Sequence, residues 1–481
     1  MLDLFSDAWD AFWSIPHVGL YLVLFWLAYL LVLGLWIVLQ KREPVATLSW
    51  LVSLAALPYV GFLIYHVLGP QRIQRQTLRR GRARINLADT ALPPPNAPQL
   101  RELGRLGKAV GGFAPSSAAE VRFLVDGAAK YKALLADLAN ARKHVHMEYY
   151  IYTPDQSGEA VRDALIDCVR RGVKVRLLLD AIGSAKAPRR WFAEFVDAGG
   201  ELAWFHPMRF GQVWMRPWLN LRTHRKIVVI DGRIAYTGGM NITDDQDESV
   251  NPMAYRDLHL RMTGPVVRQL QLVFAEDWVY ATEERGSLEE IAAQTPAAEC
   301  GRISAQTVVS GPDSPWEAIH RVHVGAIHAA TRRVWLVTPY FVPGEAAKMA
   351  LTSAAFAGLD VRLLVPKMSD SKLVTYAARS YYGDLLEAGV KIHEYGPRML
   401  HTKALLVDDG LAIIGSANFD HRSFRLNFEV SVQFLDQGIA ADLARHIEGE
   451  LASAPALQRQ QQRPLRERLP EAVARLLSPI L

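Results

Sequence analysis

Two stretches of the sequence place the same four polar residue types at the same spacing. They are residues 223–241, THRKIVVIDGRIAYTGGMN, and residues 401–418, HTKALLVDDGLAIIGSAN. In both, histidine to lysine is two positions, lysine to aspartate is five, and histidine to asparagine is seventeen. The members are His224, Lys226, Asp231 and Asn241 in the first copy, and His401, Lys403, Asp408 and Asn418 in the second. Since the copies lie 177 residues apart, they indicate a domain-sized duplication.

These residue types suit chemistry at phosphorus. Histidine can act as a nucleophile or as an acid and base near neutral pH. Lysine supplies a point charge for phosphate oxygens, and asparagine adds hydrogen-bond donors. Two such sets about a pseudo-twofold axis would bring two histidines to one phosphorus, where one forms a phosphohistidine and the other protonates the leaving alcohol. The lysines and asparagines would stabilise the equatorial oxygens, so the chemistry requires no metal or cofactor.

The pattern around each motif predicts the strands that carry it. Because alternate residues of a strand share a face, each histidine and its lysine point the same way. The apolar runs that follow, IVVI and ALLV, predict strands that are buried on both faces. Asp-Gly then predicts a turn into a returning strand. Gly238, Gly239 and Gly415 would let the backbone approach whatever the histidine and lysine contact.

The whole body of the chain repeats with the motifs. From about residue 110, short β-like runs alternate with helical patterns, which predicts an α/β fold. AGGELAWFHP at 198–207 matches AGVKIHEYGP at 388–397. We therefore expect two tandem α/β sandwich domains, 111–300 and 301–481, related by a pseudo-twofold axis.

Residues 1–70 predict a membrane anchor. The runs 18–39 and 45–69 contain no Asp, Glu, Lys or Arg. Each is long enough to cross a hydrocarbon core, which needs roughly 20 apolar residues. Only a short turn separates them, so we expect a transmembrane hairpin. A cleaved signal peptide is excluded, because the residues before the first run carry aspartates and no lysine or arginine.

A basic, proline-rich linker, 71–110, is expected after the anchor. Six arginines follow the second apolar run, against Lys41 and Arg42 in the turn, so the positive-inside tendency places the domains in the cytoplasm. The formal net charge of +5 suits an anionic partner, either lipid or nucleic acid, without choosing between them. The two cysteines, Cys168 and Cys300, exclude a disulfide framework and a four-cysteine metal site.

The paired motif, H-x-K-x4-D followed by a Gly/Ser-rich approach to Asn, resembles the phospholipase D superfamily. The stretches YRDLHLRMTGPVV, TPYFVPGE and GSANFDHRSFRLNFEV, with the two N-terminal helices, are similar to bacterial cardiolipin synthases. The likeness covers almost the whole chain. It implies two tandem phospholipase D-like domains behind a transmembrane hairpin, in the bacterial inner membrane with the domains on the cytoplasmic side.

The resemblance also implies a role for each motif residue. His224 would be the nucleophile and His401 the acid/base, although the near-symmetric motifs alone leave that order open. Asp231 and Asp408 complete the catalytic motifs as turn and framework residues. In the family, an acidic residue downstream of each motif orients its histidine. The implied phosphate-binding positions are Lys226, Lys403, Asn241, Asn418, Gly239 and Ser416, and the implied orienting positions are Asp257 and Glu429.

The implied reaction is a reversible, ping-pong phosphatidyl transfer. One phosphatidylglycerol would be attacked at phosphorus, releasing glycerol, and a second would resolve the intermediate to give cardiolipin. No metal or cofactor is implied, the partners are phosphatidylglycerol and cardiolipin in the membrane, and no nucleic acid is expected. A membrane-tethered hydrolase that uses water as the acceptor stays open, and so, less favoured, does a phosphodiesterase or nuclease.

Three further features have competing interpretations. Residues 204–218 mix Trp204, Phe205, Phe210, Trp214 and Trp218 with arginines, which suits a membrane-interface lip or buried core aromatics equally. Residues 464–481 predict an amphipathic helix, with packing against the body favoured over a surface anchor. Its apolar face comprises Leu465, Leu469, Val473, Leu476, Leu477 and Ile480. The groups His144/His146/Glu148 and His320/His323 lack a convincing third metal ligand and are interpreted as structural.

Overall fold

The structure is a computed structural model of the 481-residue chain. The residues that it describes are 12–39, 44–57, 61, 65, 69, 98–206, 220–284, 286–294, 301–314, 316–458 and 464–478. The chain forms two compact units, one of residues 1–70 with 211–220 and the other of residues 71–210 with 221–481.

The N-terminal unit contains an apolar helix, α1 (Val18–Leu39), as the sequence predicts for the first span. Among the described residues, α1 is the helix that is long and apolar enough to cross a membrane. A second helix, α2 (Pro44–Ala56), contacts α1 and begins at a proline, which is favoured at the first helical position. Most of the remainder of the predicted second span, up to residue 69, lies outside the described residues.

The larger unit begins with helix α3 (Pro98–Gly111) and strand β1 (Ser116–Ala118), and then builds a seven-stranded sheet in the order β2-β8-β7-β6-β3-β4-β5. The strands are β2 (Glu120–Val125), β3 (His144–Tyr149), β4 (Lys174–Asp180), β5 (Glu201–Phe205), β6 (Ile227–Ile230), β7 (Ile234–Gly238) and β8 (Leu258–Thr263). The helices of this half are α4 (Asp126–Ala139), α5 (Gln156–Arg170), α6 (Ala193–Asp197), α7 (Val266–Thr282) and α8 (Ser287–Ala293). Strands β3, β4 and β5 are mutually parallel, and the other pairs are antiparallel.

The second half forms an eight-stranded sheet in the order β1-β9-β17-β15-β14-β10-β12-β13 and a two-stranded sheet, β11-β16. The strands are β9 (Ile303–Ser310), β10 (Arg333–Val337), β11 (Phe341–Val342), β12 (Asp360–Pro366), β13 (Lys391–Tyr395), β14 (Ala404–Val407), β15 (Leu411–Gly415), β16 (Phe419–Asp420) and β17 (Glu429–Phe434). The helices are α9 (Ala318–His328), α10 (Glu345–Phe356), α11 (Lys372–Arg379), α12 (Tyr382–Ala388), α13 (His421–Arg425), α14 (Gln437–Leu451) and α15 (Leu465–Leu476).

The two large sheets confirm the predicted duplication. The order β9-β17-β15-β14-β10-β12-β13 repeats β2-β8-β7-β6-β3-β4-β5, with the same parallel and antiparallel pairs. One apolar cluster runs through both halves and includes Val229 and Leu260 of the first sheet, Leu406 and Val432 of the second, and Phe274 of α7. A shared core of this kind holds the two halves in a fixed relation.

The segment before the first sheet belongs to the second half. Strand β1 pairs antiparallel with β9, and α3 packs on β9 and α9. The Gln306 side-chain amide donates to the Gly104 carbonyl at 3.2 Å. Without β1, β9 would be an open sheet edge. Residues 98–110, which the sequence assigns to the linker, and Ser116–Ala118, assigned to the first domain, therefore complete the other half.

Candidate active site

Each motif histidine and lysine immediately precedes the strand formed by the following apolar run. His224 and Lys226 lead into β6, and His401 and Lys403 lead into β14. All four residues of each strand are buried, as expected for a central strand covered on both faces. Each asparagine follows the antiparallel return strand, β7 or β15. It therefore lies at the same end of the sheet as the histidine of its motif.

A bridge between the halves fixes the backbone of the first motif. Thr223 forms an isolated parallel bridge with Phe428 of the second half. The His224 N–H donates to the Phe428 carbonyl at 2.9 Å, and the Phe428 N–H donates to the Arg222 carbonyl at 2.8 Å. The segment before β6 therefore runs alongside the segment that enters β17.

The reciprocal bridge fixes the second motif. Arg256 forms a parallel bridge with Leu400. The His401 N–H donates to the Arg256 carbonyl at 2.7 Å, and the Arg256 N–H donates to the Met399 carbonyl at 2.8 Å. The segment before β14 thus runs alongside the segment that enters β8.

Because of these bridges, the acidic side chain of each half lies beside the histidine of the other half. Glu429 Oε1 lies 2.9 Å from His224 Nδ1, and Asp257 Oδ2 lies 2.6 Å from His401 Nδ1. The resemblance implied that each acid orients the histidine of its own motif, and this pairing is wrong. The acid enters its strand beside the other half's histidine, so it reaches across the interface. With Nδ1 turned to the carboxylate, Nε2 of each ring is left for a substrate.

Burial disfavours the protonated form of both histidines. Burial lowers the pKa of His224 to about 4, against the opposing effect of Glu429. Burial and the neighbouring Lys403 lower the pKa of His401 to about 4, again against its carboxylate, Asp257. A neutral imidazole whose Nδ1–H donates to a carboxylate carries its lone pair on Nε2, which is the form a nucleophile requires.

The two lysines are buried beside the histidines. Lys226 Nζ donates to the His224 carbonyl at 2.6 Å, and Lys403 Nζ donates to the His401 carbonyl. Lys403 Nζ also lies 2.9 Å from His401 Nδ1. Burial lowers the pKa of Lys226 to about 7 and that of Lys403 to about 8. An anion in the site would favour the charged form of both side chains.

Asn241 is held by a network that extends to the second histidine. Its side-chain carbonyl accepts from the Ile151 N–H at 3.3 Å, and its backbone carbonyl accepts from Lys130 Nζ at 2.6 Å. The Asn241 N–H donates to Gln246 Oε1, which fixes the orientation of that amide. Gln246 Nε2 then lies 3.1 Å from His401 Nδ1.

Asn418 has a simpler support. Its N–H donates to Ser423 Oγ at 3.1 Å. Its side-chain carbonyl oxygen is buried and has no hydrogen-bond partner among the described residues. Gln246 and Ser423 each stand five positions after their asparagine, but only Gln246 reaches a histidine. Sequence reasoning missed Gln246, and its equal offset from the motif was the available signal.

Gly239 and Ser416 help to position the carboxylates of Asp257 and Glu429. A Cβ on Gly239 would lie 2.2 Å from Asp257 Oδ1, so only glycine leaves room for that side chain. Ser416 Oγ donates to Glu429 Oε2 and accepts from the Val430 N–H at 3.0 Å. The structure thus gives both positions a role in holding the acids, and the phosphate contact implied for them stays a prediction.

The motif aspartates lie at the far ends of strands β6 and β14. Asp231 and Asp408 have left-handed backbones, with φ of 53° and 50°. Each carboxylate accepts from three consecutive backbone N–H groups at the start of the neighbouring antiparallel strand, β3 or β10, with shortest distances of 2.7 Å and 2.8 Å. Those groups belong to Arg142, Lys143 and His144 for Asp231, and to Thr331, Arg332 and Arg333 for Asp408. In this structure the two aspartates act as turn and framework residues, as the sequence predicts.

Two tyrosines that sequence reasoning missed flank the histidines. The Tyr150 ring lies 5.0 Å from the His224 ring, and the Tyr255 ring lies 5.4 Å from the His401 ring. Lys226 Nζ lies 5.6 Å from the centre of the Tyr150 ring. These rings limit the rotation of the imidazoles.

The remaining candidate groups lie elsewhere. His144 and His146 stack on each other at 4.5 Å, and His146 stacks on Phe274 at 4.9 Å. His320 stacks on Phe424 at 4.5 Å. No group of three or more His, Cys, Asp or Glu within the described ranges is arranged to hold a metal ion. In the aromatic stretch 204–218, Phe205 is buried in the core, whereas Phe210, Trp214 and Trp218 lie outside the described residues.

Known families match both parts of the chain. Residues 134–278 and 324–451 match the family described as cardiolipin synthase, PLD-like domain. Residues 29–70 match the family described as phospholipase D-nuclease N-terminal. The first match covers both halves that carry the histidines.

Two relatives are similar over nearly their full length. A protein of Geobacillus kaustophilus (strain HTA426) named cardiolipin synthase is 38% identical, across 98% of this chain and 96% of the relative. A Bacillus anthracis protein named cardiolipin synthase 2 is 38% identical, across 93% of this chain and 89% of the relative.

Among solved structures, the phosphatidylserine synthase of Haemophilus influenzae Rd KW20 is similar with a TM-score of 0.59 and 16% identity. The match covers 79% of this chain and 100% of that chain. At this identity the likeness shows a shared fold.

Proposed function

Because the chain belongs to the cardiolipin synthase family of phospholipase D-like proteins, we propose that it joins two phosphatidylglycerol molecules into cardiolipin and glycerol. The observation that carries the proposal is the pair of buried histidines, each bound at Nδ1 by a carboxylate from the other half. This arrangement provides one histidine as the nucleophile and a second as the acid and base, as a double displacement at phosphorus requires.

In the first step, His224 Nε2 attacks the phosphorus of one phosphatidylglycerol. The P–N bond forms, the bond from phosphorus to the glycerol oxygen breaks, and protonated His401 donates its Nε2 proton to that oxygen. The negative charge of the bound phosphodiester raises the pKa of His401 above its value in the empty site, so His401 takes up a proton from solvent as the substrate binds. Glu429 stabilises the positive charge that develops on His224.

In the second step, the process runs in reverse with a new alcohol. Neutral His401 accepts the proton of a hydroxyl on the second phosphatidylglycerol. That oxygen attacks phosphorus, the P–N bond to His224 breaks, and cardiolipin leaves. Lys226 and Lys403 stabilise the equatorial oxygens in both steps. Since the bonds made and broken are of the same kind, the transfer is reversible.

The surroundings of Nδ1 support His224 as the nucleophile. His224 Nδ1 contacts both oxygens of Glu429, at 2.9 Å and 3.1 Å. His401 Nδ1 lies near one carboxylate oxygen and also near two donors, Gln246 Nε2 and Lys403 Nζ. A carboxylate as the sole hydrogen-bond partner of Nδ1 favours the cation that attack produces, whereas donors beside Nδ1 favour a ring that gives its proton away.

The location of the protein is proposed from the anchor. The family is membrane-associated, and α1 is an apolar helix of sufficient length to span a bilayer. We propose a hairpin of two spans in the bacterial inner membrane, with the catalytic unit on the cytoplasmic side. The six arginines that follow the second apolar run support this orientation.

Product analysis tests the proposed reaction. The purified full-length chain is given phosphatidylglycerol that is labelled in its phosphate, in mixed micelles. We expect labelled cardiolipin from the native protein and none from His224→Ala. Phosphatidic acid without cardiolipin would instead establish the hydrolase alternative.

A further inference from the structure

Helix α15 is attached to the catalytic unit through its polar side. The Arg475 guanidinium lies 4.5 Å from the centre of the Tyr381 ring and donates to the Ser380 carbonyl at 3.4 Å. The Tyr381 hydroxyl donates to Ser478 Oγ at 3.1 Å. Glu471 and Ala474 are buried on this side. The predicted packing against the body is therefore present, but it is made by the polar side of the helix and not by its apolar face.

The apolar face points outward. Leu465, Leu469, Val473 and Leu476 are 73%, 57%, 52% and 79% exposed. At 100° per residue their directions fall within one narrow stripe along the helix. An amphipathic helix of a soluble domain normally buries this stripe and exposes its polar side. In α15 the arrangement is the reverse, so the stripe is available to something outside the catalytic unit.

The neighbouring helix extends the exposed apolar area. Helix α11 packs against α15, and its Leu373 and Tyr376 are 38% and 39% exposed, with Met368 just before it 53% exposed. Basic side chains border these residues, and they include exposed Lys367, Lys372, Arg466 and Arg468. Apolar residues bordered by lysine and arginine match the interface of an anionic bilayer, where the apolar groups enter the acyl boundary and the cations meet phosphates.

The loop that leads into α11 also borders the active site. Asp370 accepts a hydrogen bond from the Tyr340 hydroxyl at 2.7 Å. The same carboxylate is close enough to Lys403 to oppose the lowering of its pKa by burial. A contact made by α11 and α15 would therefore be made close to the groups that bind the phosphate.

We propose that the α11–α15 surface, comprising Leu373, Tyr376, Leu465, Leu469, Val473 and Leu476, docks on an anionic phospholipid bilayer. The contact is additional to the N-terminal anchor and holds the catalytic unit against the lipid layer from which it draws substrate. It takes from the proposed function only that the substrate lies in a bilayer, and it is independent of which acceptor resolves the intermediate.

Fluorescence quenching tests the contact directly. The full-length protein carrying Cys168→Ala and Cys300→Ala receives Leu469→Cys, labelled with an environment-sensitive dye, and is reconstituted in phosphatidylglycerol vesicles that contain a lipid-borne quencher. Val196→Cys is the matched control, because Val196 is 47% exposed on α6 of the other half. We expect quenching at position 469 well above that at position 196. Equal quenching at both positions would overturn the proposal, and so would a dye at 469 that is shielded by a second copy of the chain in detergent.

Initial rates on two physical forms of the substrate separate a loss of bilayer docking from a loss of catalysis. The double variant Leu469→Ser/Leu476→Ser is compared with Val196→Ser on two forms of phosphatidylglycerol. On vesicles the double variant should lose about tenfold in initial rate, since the apolar area that enters the bilayer is smaller. On short-chain lipid dispersed in detergent it should match the control. Unchanged activity on vesicles, or an equal loss on both forms, would overturn the proposal. Phosphatidic acid as the product of the native chain would refute the proposed function and leave the quenching result intact.

Discussion

The two halves share a backbone plan but differ in the polar atoms around their histidines. His224 is bound by a glutamate that Ser416 holds from behind. His401 is bound by an aspartate and is also approached by Gln246 and Lys403. The strands that carry the two sets have the same order and directions. Duplication has therefore preserved the scaffold, while side chains at equivalent positions have diverged.

The lengths of the two acids explain part of this divergence. Asp257 is one methylene shorter than Glu429 and needs a closer backbone, which Gly239 provides. Glu429 reaches further, and the equivalent position can hold Ser416, whose hydroxyl fixes the carboxylate. The two histidines consequently differ at Nδ1, where His224 contacts a carboxylate alone and His401 contacts a carboxylate and lies near two donors.

Removal of either carboxylate should have the largest effect. Glu429→Gln and Asp257→Asn each take a buried anion from a histidine, so kcat should fall by about 10²- to 10⁴-fold in both. A phosphatidyl donor with a nitrophenol leaving group needs no proton from His401. With that donor, Asp257→Asn should retain a rapid burst of nitrophenol, and Glu429→Gln should lose it. Equal bursts from the two variants would contradict the division of roles.

The pH dependence should follow the buried cations and imidazoles. The pKa of about 7 for Lys226 and about 8 for Lys403 means that both lose their charge as pH rises through this range. The form that binds phosphate is the protonated one, so kcat/KM should fall on the alkaline side, between about pH 7 and 8. On the acid side, kcat/KM should fall near pH 4, where the Nε2 lone pair of His224 becomes protonated. Initial rates across pH in mixed micelles measure both limbs, and a flat profile from pH 6 to 9 would count against charged lysines.

Gln246→Ala should have a moderate effect confined to the second histidine. The amide donor near His401 Nδ1 disfavours the imidazolium, so its removal should raise the pKa of His401. A smaller fraction of His401 is then neutral for the second step, in which it accepts the proton of the incoming alcohol, and kcat should fall by about tenfold. The measurement is the acid limb of kcat, which should move to higher pH. Ser423→Ala is the matched control, because Ser423 supports Asn418 without contacting a histidine, and its acid limb should stay in place. The same shift in both variants would point to a general loss of order.

The smallest effect on chemistry should come from the motif aspartates. Asp408→Asn weakens the capping of three backbone N–H groups and should cost about 1–2 kcal/mol of folding free energy. Burial favours the neutral acid, but the backbone donors outweigh it and hold the pKa of Asp408 below its usual range. The thermal midpoint should fall by about 2–4 °C while kcat stays within about twofold. Asp231→Asn should behave alike, and a large loss of kcat without loss of stability would return these residues to the catalytic set.

Much of the architecture could be predicted from the sequence because the signals are local and repeated. The apolar runs after His224 and His401 predict central strands, and the equal spacing predicts the duplication. The exchange of Asp257 and Glu429 could not be predicted, because His224 and Glu429 are 205 positions apart and are brought together only by bridges between the halves. Helix α15 shows a similar limit, since periodicity defines an apolar stripe but does not determine which side packs.

The most direct test of the central claim is covalent trapping. His401→Ala is incubated with a phosphate-labelled phosphatidyl donor that carries a nitrophenol leaving group, which needs no proton from His401, and the quenched protein is digested and mapped by mass spectrometry. The account predicts a phosphatidyl group on His224, because the nucleophile is intact and the group that activates the second alcohol is gone. A label on any other residue, or a covalent label that survives His224→Ala, would contradict it.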